Sequence, residues 1–434
     1  MKEINEKKKL DYKWVVIGLC FLMIMITLGF CSSPKSYFIG PITDHLGIDR
    51  SSYSINDSLR HISVAIVNFF FGTLIKKFGP RKLIAAGFFS LVCSSLCYAL
   101  AENVWVLYLG GILLGVGLSW TTTTMVGFVV NRWSSENKGT IMGAVLAANG
   151  IGGAIAMQIV SPIIESKSSI PGYKIAYLVI AAVLFVVGVI VVTFFRDTPK
   201  VKSGAEVAGQ NPQKKKARGS SWTGLDYGAT KRKWYFYGTL FCVFGVGFFL
   251  TACNGVAVQH MKDVGLDPVY VSAIWSVHSL VLALFKFLTG FIYDKTGLRT
   301  TMLICSLTAI AVVICLALVT PTPEGKILAA IYAIFSGLAL PLETVMLPII
   351  ASDLFGQRSF DEVLGMSVSM NAIGLAVASP VINLFYDKLG SYKTGMFVCI
   401  GLLAVVIVVM QIVISSAHKT RKNFESERKI IENS

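Results

Sequence analysis

Long apolar stretches with few charges recur along the whole chain of 434 residues. Each approaches or exceeds the ~20 residues that an α-helix needs to cross a lipid bilayer. Charged residues make up only 15% of the chain and hydrophobic residues 54%, whereas a soluble domain carries about 25% charged residues. A helix satisfies its own backbone polar groups in hydrocarbon, so this pattern predicts an all-α membrane protein with many spans.

The apolar stretches predict twelve spans in two sets of six, separated by a polar and basic stretch at 196–233 that contains NPQKKKARGSS. The expected organisation is a first six-helix half at 1–195, a cytoplasmic linker at 196–233, a second six-helix half at 234–418 and a cytoplasmic tail at 419–434. The spans are expected to start near Trp14, Ile55, Leu83, Val104, Thr140 and Tyr173, and then near Trp234, Pro268, Thr301, Ile327, Val363 and Thr394.

The chain is basic, with a formal net charge of +15. The Lys and Arg residues lie mainly in alternate short connections between the predicted spans, which is the positive-inside pattern and argues against a nucleic-acid partner. It predicts cytoplasmic termini for a protein that we expect in the plasma membrane as a monomer. The nine cysteines lack metal-ligand spacing, and the sequence has no Walker loop and no catalytic grouping. We therefore expect no cofactor, no metal, no enzymatic activity and no ATP-driven transport.

One connection between helices occurs twice. The segment GTLIKKFGPRK at 72–82 aligns with GFIYDKTGLRT at 290–300, and further matches follow in the same order along both halves. Two parallel repeats of six helices joined by a basic loop are the plan of the major facilitator fold, and the repeated connections are expected to act as its gating loops. Their predicted gating residues are Gly72, Gly79 and Arg81 in the first half, and Asp294 and Arg299 in the second.

Several segments resemble the monocarboxylate transporters of the major facilitator superfamily, and the similarity extends to the related oxalate/formate antiporters. The first repeated connection resembles the superfamily's signature loop, although Lys76 replaces the acidic residue that Asp294 retains in the second half. The other segments are DYKW at 11–14, PKS at 34–36, RWSSENKGTIMGAVLAANGIGG at 132–153, DLFGQRSF at 353–360 and DKLGSYKTG at 387–395.

The resemblance implies a cation for the substrate carboxylate in the eighth span. Aligning ALFKFLTG places Lys286 where the family has a carboxylate-binding arginine, and Leu282 where it has an aspartate that helps to carry a proton. A lysine ammonium lacks the two-pronged geometry of a guanidinium. The resemblance therefore implies a carrier of small organic anions, most of all monocarboxylates, by proton symport or anion exchange.

Ionisable residues inside spans indicate the same site without reference to the family, because each costs roughly 2.5–3.5 kcal/mol or more at the membrane centre. We expect Lys35 and Lys286 to bind substrate from either side of the midplane. The alternatives are that Lys35 extends to the outer headgroups and that Lys286 forms a permanent ion pair with Glu343. Glu343 is also the candidate proton carrier, since it is the one acid deep in the spans of the second half.

Further polar residues complete the predicted site. Asn149 and Asn371 occupy matching positions in the two halves and could bind substrate oxygens or hold helices together. His278 lies two turns from Lys286 and is a candidate proton relay. Arg60 and His61 are expected at the outer mouth, where they would attract anions.

Three other functions stay open at this level. One is a dicarboxylate- or formate-type antiporter, although the eleventh span, VLGMSVSMNAIGLAVASP, lacks the second cation of that family. Another is an efflux carrier for amphipathic acids. The third, from a different class, is a membrane sensor that does not transport, for which the predicted tails are short.

Overall fold

The chain forms a bundle of long helices in the computed structural model, which describes residues 12–48, 50–134, 136–164, 166, 170–196 and 224–432. Within these ranges, eleven helical segments are long and apolar enough to cross a membrane, and one bent pair makes a twelfth. The prediction of an all-α protein with twelve spans is therefore confirmed.

The first half contains nine helices, because several spans are interrupted. The helices on either side of Phe70 form a bent pair that turns by 61° and counts as one span, and two helices within Val104–Trp133 together form another. The helices are α1 (Tyr12–Cys31), α2 (Lys35–Leu46), α3 (Arg50–Phe69), α4 (Phe71–Phe78), α5 (Pro80–Ala99), α6 (Val104–Thr121), α7 (Thr123–Trp133), α8 (Lys138–Ile164) and α9 (Gly172–Phe194).

The second half repeats this plan after a short helix. The tenth of the twelve predicted spans, which lies in this half, contains a 3-10 turn. The elements are α10 (Tyr227–Lys231), α11 (Trp234–Asn254), α12 (Ala257–Asp263), α13 (Pro268–Thr296), α14 (Leu298–Ala317), α15 (Pro323–Ala339), the 3-10 turn (Leu340–Glu343), α16 (Met346–Phe355), α17 (Phe360–Leu389) and α18 (Lys393–Glu432).

The repeated glycines turn the chain between helices at equivalent places. Gly79 (φ 76°) separates α4 from α5, and Gly297 (φ 85°) separates α13 from α14. A positive φ is accessible to glycine with little penalty, whereas a side chain would strain the backbone there. This shared geometry explains why the two glycines align in the sequence.

The two halves meet where α8 crosses α13 and α3 crosses α17. A Cβ at Gly143 of α8 would collide with the backbone carbonyl oxygen of Lys286 on α13. At the other crossing, Ser369 of α17 donates a hydrogen bond to the carbonyl oxygen of Ala65 on α3, at 2.6 Å. Close backbone approach through small residues is the usual way for membrane helices to pack, so these crossings join the halves tightly.

One end of the bundle, called the linker side below, holds the end of α9 and the start of α10. Residues 197–223 of the predicted linker lie outside the described residues, while its last part forms α10 instead of an irregular connection. Thr230 of α10 lies within 3.4 Å of the Ser359 hydroxyl. The tail predicted from 419 continues as helix, because α18 extends to Glu432. The opposite end of the bundle is called the far side.

Candidate substrate and coupling site

Two spans are interrupted at equivalent points in the two halves. The backbone of Thr122 (φ −122°, ψ −141°) separates α6 from α7. In the second half, Pro341 lies in the 3-10 turn between α15 and α16, where its missing N–H weakens the helical ladder. Interrupted helices in transporters typically line substrate and ion sites, since unwound backbone is tolerated there only beside protein or water. Glu343, the last residue of the 3-10 turn, therefore occupies a position suited to a site.

Lys286 lies at the crossing of α8 and α13 and is 5% exposed. Glu343 is close enough to interact with it electrostatically. Among the residues that the structure describes, however, no ion pair of 4.0 Å or less joins them, and Glu343 Oε2 is buried without a hydrogen-bond partner. A buried carboxylate oxygen without a partner is costly, so this oxygen has unused capacity to accept a hydrogen bond.

The two predicted asparagine ligands form bonds within their own halves. Asn149 Oδ1 lies 3.5 Å from the Ser33 hydroxyl, and Asn371 Nδ2 donates to the carbonyl oxygen of Val243 at 3.4 Å. Both contacts join neighbouring helices. Among the described contacts, neither amide forms a hydrogen bond with Lys286 or Glu343. The role of Asn149 and Asn371 as substrate ligands stays a prediction.

His278 is buried against α15 in the second half. Its Nδ1 lies 2.8 Å from the carbonyl oxygen of Ala333 and 3.1 Å from the Ser336 hydroxyl, and its ring stacks on Trp275 at 4.5 Å between centroids. These contacts hold the imidazole to its own half. Among the described contacts, no hydrogen bond links His278 to Lys286. A proton relay between them stays a prediction.

Lys35 begins α2 directly after Pro34, where the helix of the first span is interrupted. Its Nζ forms a 2.7 Å ion pair with Asp57 Oδ2 on α3. Arg60 Nη2 lies 2.9 Å from Asp57 Oδ1 and 3.0 Å from His61 Nε2. The structure thus brings together three residues that the sequence suggested separately.

Asp57, which joins these cations, is not among the site residues predicted from the sequence. Its spacing supplied a signal, because Asp57, Arg60 and His61 stand at i, i+3 and i+4 and share one face of a helix. The predicted second span starts near Ile55, so Asp57 falls within its first turn. In the structure α3 begins five residues earlier, at Arg50.

The repeated connections join the halves on the linker side. The Asp294 carboxylate accepts hydrogen bonds from the backbone N–H groups of Gly139 (3.1 Å) and Thr140 (2.7 Å), at the start of α8. At the equivalent place, Lys76 pairs with Glu362 at the start of α17. Lys76 thus replaces the acid of the signature loop, and its partner in the opposite half, Glu362, is an acid.

The remaining predicted gating residues have different contacts. A Cβ at Gly72 would collide with Glu362, so this glycine lets the first connection approach α17. Arg81 Nε donates to the carbonyl oxygen of Val192 at 2.7 Å, and Arg299 Nε to Gln411 Oε1 at 3.0 Å. Each of these two hydrogen bonds joins helices of a single half, the first half for Arg81 and the second half for Arg299.

Comparison with known proteins identifies the family from the sequence. The family model of the Major Facilitator Superfamily matches residues 15–358 and 239–432. The uncharacterized MFS-type transporter YcxA of Bacillus subtilis is 24% identical over 403 residues, covering 91% of this chain and 94% of that protein. The sialic acid transporter NanX of Escherichia coli is 20% identical over 313 residues, covering 71% and 70%.

Solved structures of this superfamily have the same fold. FucP in the outward conformation superposes with a TM-score of 0.69 at 14% identity, covering 92% of this chain and 98% of FucP. The proton:xylose symporter XylE gives 0.69 at 12% identity, covering 93% and 95%. On the family match and these relatives, the chain belongs to the Major Facilitator Superfamily and is a multi-pass membrane transporter of that type.

Proposed function

We propose that this protein is a secondary carrier of small organic anions, above all monocarboxylates, that works by alternating access in the plasma membrane. The linker side faces the cytoplasm in this proposal, as the positive-inside pattern predicts. Movement is driven by a proton gradient or by exchange for another anion, since the sequence has no nucleotide-binding loop.

The observation that carries this proposal is the buried Lys286 at the crossing of the halves. A cation 5% exposed requires negative charge nearby, and Glu343 supplies it without a close ion pair. A carboxylate that enters between them forms a charge-assisted hydrogen bond with the ammonium. If Glu343 then takes up a proton, one anion and one proton occupy the site together, which is the arrangement required for symport.

The contacts between the halves support alternating access. Among the described residues, the ion pairs that join one half to the other, Lys76–Glu362 and Arg132–Asp361, lie on the linker side. With the halves held together there, the proposed substrate enters from the far side. NanX, a relative whose name is sialic acid transporter, supports an organic acid as cargo.

The test is transport by the purified protein in liposomes. Uptake is measured for a panel of monocarboxylates, dicarboxylates and amphipathic acids, each with and without a pH gradient and with and without internal anion. We expect saturable uptake of monocarboxylates driven by at least one of these conditions. Uptake of dicarboxylates alone would favour the antiporter alternative, and loss of preloaded amphipathic acids alone would favour efflux. No movement of any acid would contradict the proposal.

A further inference from the structure

The second half holds two buried cysteines on neighbouring helices, Cys253 on α11 and Cys399 on α18. They are 1% and 4% exposed, and both are free thiols in this structure. The proposed function gives neither of them a role. Their position relative to each other follows from the way in which the two helices pack.

The helices α11 and α18 run antiparallel and approach each other closely at two glycines of α11. A Cβ at Gly238 would collide with the side chain of Val413, and a Cβ at Gly245 would collide with the side chain of Val406. Seven residues forward along α11 thus correspond to seven residues back along α18. These contacts define the register in which the two helices face each other.

The same register leads to the two cysteines. Cys253 lies eight residues beyond Gly245, and Cys399 lies seven residues before Val406. Steps of this length keep to one face of a helix, since about 3.6 residues make one turn. The two thiols accordingly lie within hydrogen-bonding reach of each other. Direct contact between side chains of two helices is the arrangement that a disulfide requires, because its Cβ atoms are about 3.5–4.5 Å apart.

A cavity of about 10 Å³ lies beside Cys253, between α11, α14, α15 and the 3-10 turn. This volume is near the lower limit for one water molecule, so it admits only a very small molecule. One wall is polar, because Tyr332 donates a hydrogen bond to Asn254 Oδ1 at 3.1 Å. Among the described residues, Cys253 lines this cavity and Cys399 does not. A small polar oxidant such as hydrogen peroxide therefore meets Cys253 first.

We propose that Cys253 and Cys399 are an oxidation site at which a peroxide forms a disulfide between α11 and α18. The sulfur of Cys253 first attacks the peroxide, the O–O bond breaks, and a sulfenic acid and one water form. The sulfur of Cys399 then attacks the sulfur of Cys253, so that an S–S bond forms, the S–O bond breaks and a second water leaves. The two thiols thus lose two electrons and two protons, and the peroxide is reduced to two water molecules.

This disulfide stabilises the second half without joining it to the first. Cys253 is the second-last residue of α11, so the pair lies toward the far side. In the proposed function the far side faces the outside of the cell, where disulfides persist. The bond closes the long loop of chain between α11 and α18 and so restricts the unfolded chain. Burial shelters the bond from reductants once it has formed.

Peptide mapping of the purified protein tests this inference. The protein is treated with hydrogen peroxide, its remaining thiols are alkylated after unfolding, and the digest is analysed by mass spectrometry without reductant. We expect the peptide of Cys253 joined to the peptide of Cys399, at the sum of their masses less two hydrogen atoms. Dithiothreitol should separate the two peptides. The oxidised protein should unfold at a higher temperature than the reduced protein.

Single serine variants test the order of the two steps. In Cys399→Ser the second sulfur is missing, so Cys253 should stop as a sulfenic acid, which dimedone labels. In Cys253→Ser the sulfur that lines the cavity is missing, so Cys399 should take up less dimedone than Cys253 does in the first variant. Neither variant should gain thermal stability on oxidation, which separates the effect of the disulfide from the oxidation of methionines. If one variant does not fold, the peptide map of the wild type still decides the question.

Two controls separate geometry from access. Cys242→Ala removes another buried cysteine of α11, whose Sγ lies 3.7 Å from the carbonyl oxygen of Val406, and it should still give the linked peptide. Cys93 and Cys97 are more exposed, but they lie on the single helix α5 at i and i+4. Their Cβ atoms are therefore about 5–6 Å apart, which is too far for a disulfide. This pair should stay unlinked.

Recovery of both thiols unmodified after the treatment would overturn the inference. Oxidation of Cys253 in the wild type without a link to Cys399, or a link from Cys253 to any other cysteine, would overturn it as well. Stronger dimedone labelling of Cys399 in Cys253→Ser than of Cys253 in Cys399→Ser would reject entry through the cavity. None of these measurements depends on transport, so their outcome is distinct from that of the uptake assay.

Discussion

Lys286 is the residue on which the proposed function depends most. It is buried where the backbones of α8 and α13 approach each other closely, because Gly143 has no side chain to separate them. In the proposed function, a cation placed there lies in the path of the anion that passes between the halves.

Replacing Lys286 by alanine should reduce carboxylate uptake at low substrate concentration by at least about tenfold, because a charge-assisted hydrogen bond is lost. Lys286→Arg should retain part of the uptake and change the preference among acids, because a guanidinium binds carboxylates through two parallel bonds. Uptake is measured in liposomes at equal protein content. Lys295→Ala, at an exposed position on the same helix, is the control and should transport normally. Normal uptake by folded Lys286→Ala would remove this residue from the site.

Glu343 should matter for coupling more than for binding. We expect Glu343→Gln to abolish accumulation driven by a pH gradient while exchange of internal for external anion continues, because an amide cannot carry the proton. Both quantities are measured in the same vesicles. Glu324→Gln, an exposed acid at the start of α15, should keep both activities. Accumulation in a well-folded Glu343→Gln protein would show that Glu343 serves only to balance Lys286.

At the scale of elements, the two repeated connections do the same work with opposite charges. Asp294 accepts hydrogen bonds from the start of α8, where backbone N–H groups attract an anion. Lys76 cannot cap a helix start in this way, and it pairs instead with Glu362 in the first turn of α17. Both connections thereby join the halves on the linker side.

Reversing the charge at Lys76 should open the linker side. In Lys76→Glu two carboxylates face each other, and we expect slower uptake with a small loss of stability, about 0.2–1 kcal/mol, since Lys76 is 55% exposed. The double variant Lys76→Glu/Glu362→Lys should recover uptake. Lys77→Glu, which also adds an acid at an exposed position, is the control. If the double variant transports no better than Lys76→Glu, the ion pair is not the cause.

At the scale of the whole molecule, alternating access requires the linker side to open in each cycle. Asn131 Nδ2 donates to Gln357 Oε1 at 2.6 Å across the halves, at an exposed position. Cysteines placed at these two residues should therefore be joined by a short bismaleimide. The nine natural cysteines are buried or only partly accessible, so the introduced pair should react first.

Cross-linking this pair should stop uptake, because the halves can no longer separate on the linker side. Uptake is measured before and after treatment, and the variants that carry only one of the two introduced cysteines are the controls for modification alone. We expect the single variants to keep most of their activity. Full uptake after complete cross-linking would mean that the linker side does not open during transport.

Most of the fold follows from the sequence, because the length of each apolar stretch and the bilayer thickness together determine the number of spans. The repeated Gly79 and Gly297 revealed the two halves, since a positive φ restricts the residue at the equivalent turns. The candidate site is harder to predict from the sequence than the fold is. Lys35 and Lys286 were identifiable because isolated charges in apolar stretches are costly. Their surroundings depend on partners that lie far away in the chain.

The sequence by itself determined the helical spans, their division into two halves and the positions of the cations within apolar stretches, because each of these follows from local composition or from the repeated connection. The tertiary structure alone decided that Asp57 lies between Lys35 and Arg60, and that Glu343 keeps an unpartnered oxygen near Lys286. Such contacts depend on how helices cross and rotate against each other. Hydropathy does not encode that rotation, because lipid and the protein interior are nearly equally apolar.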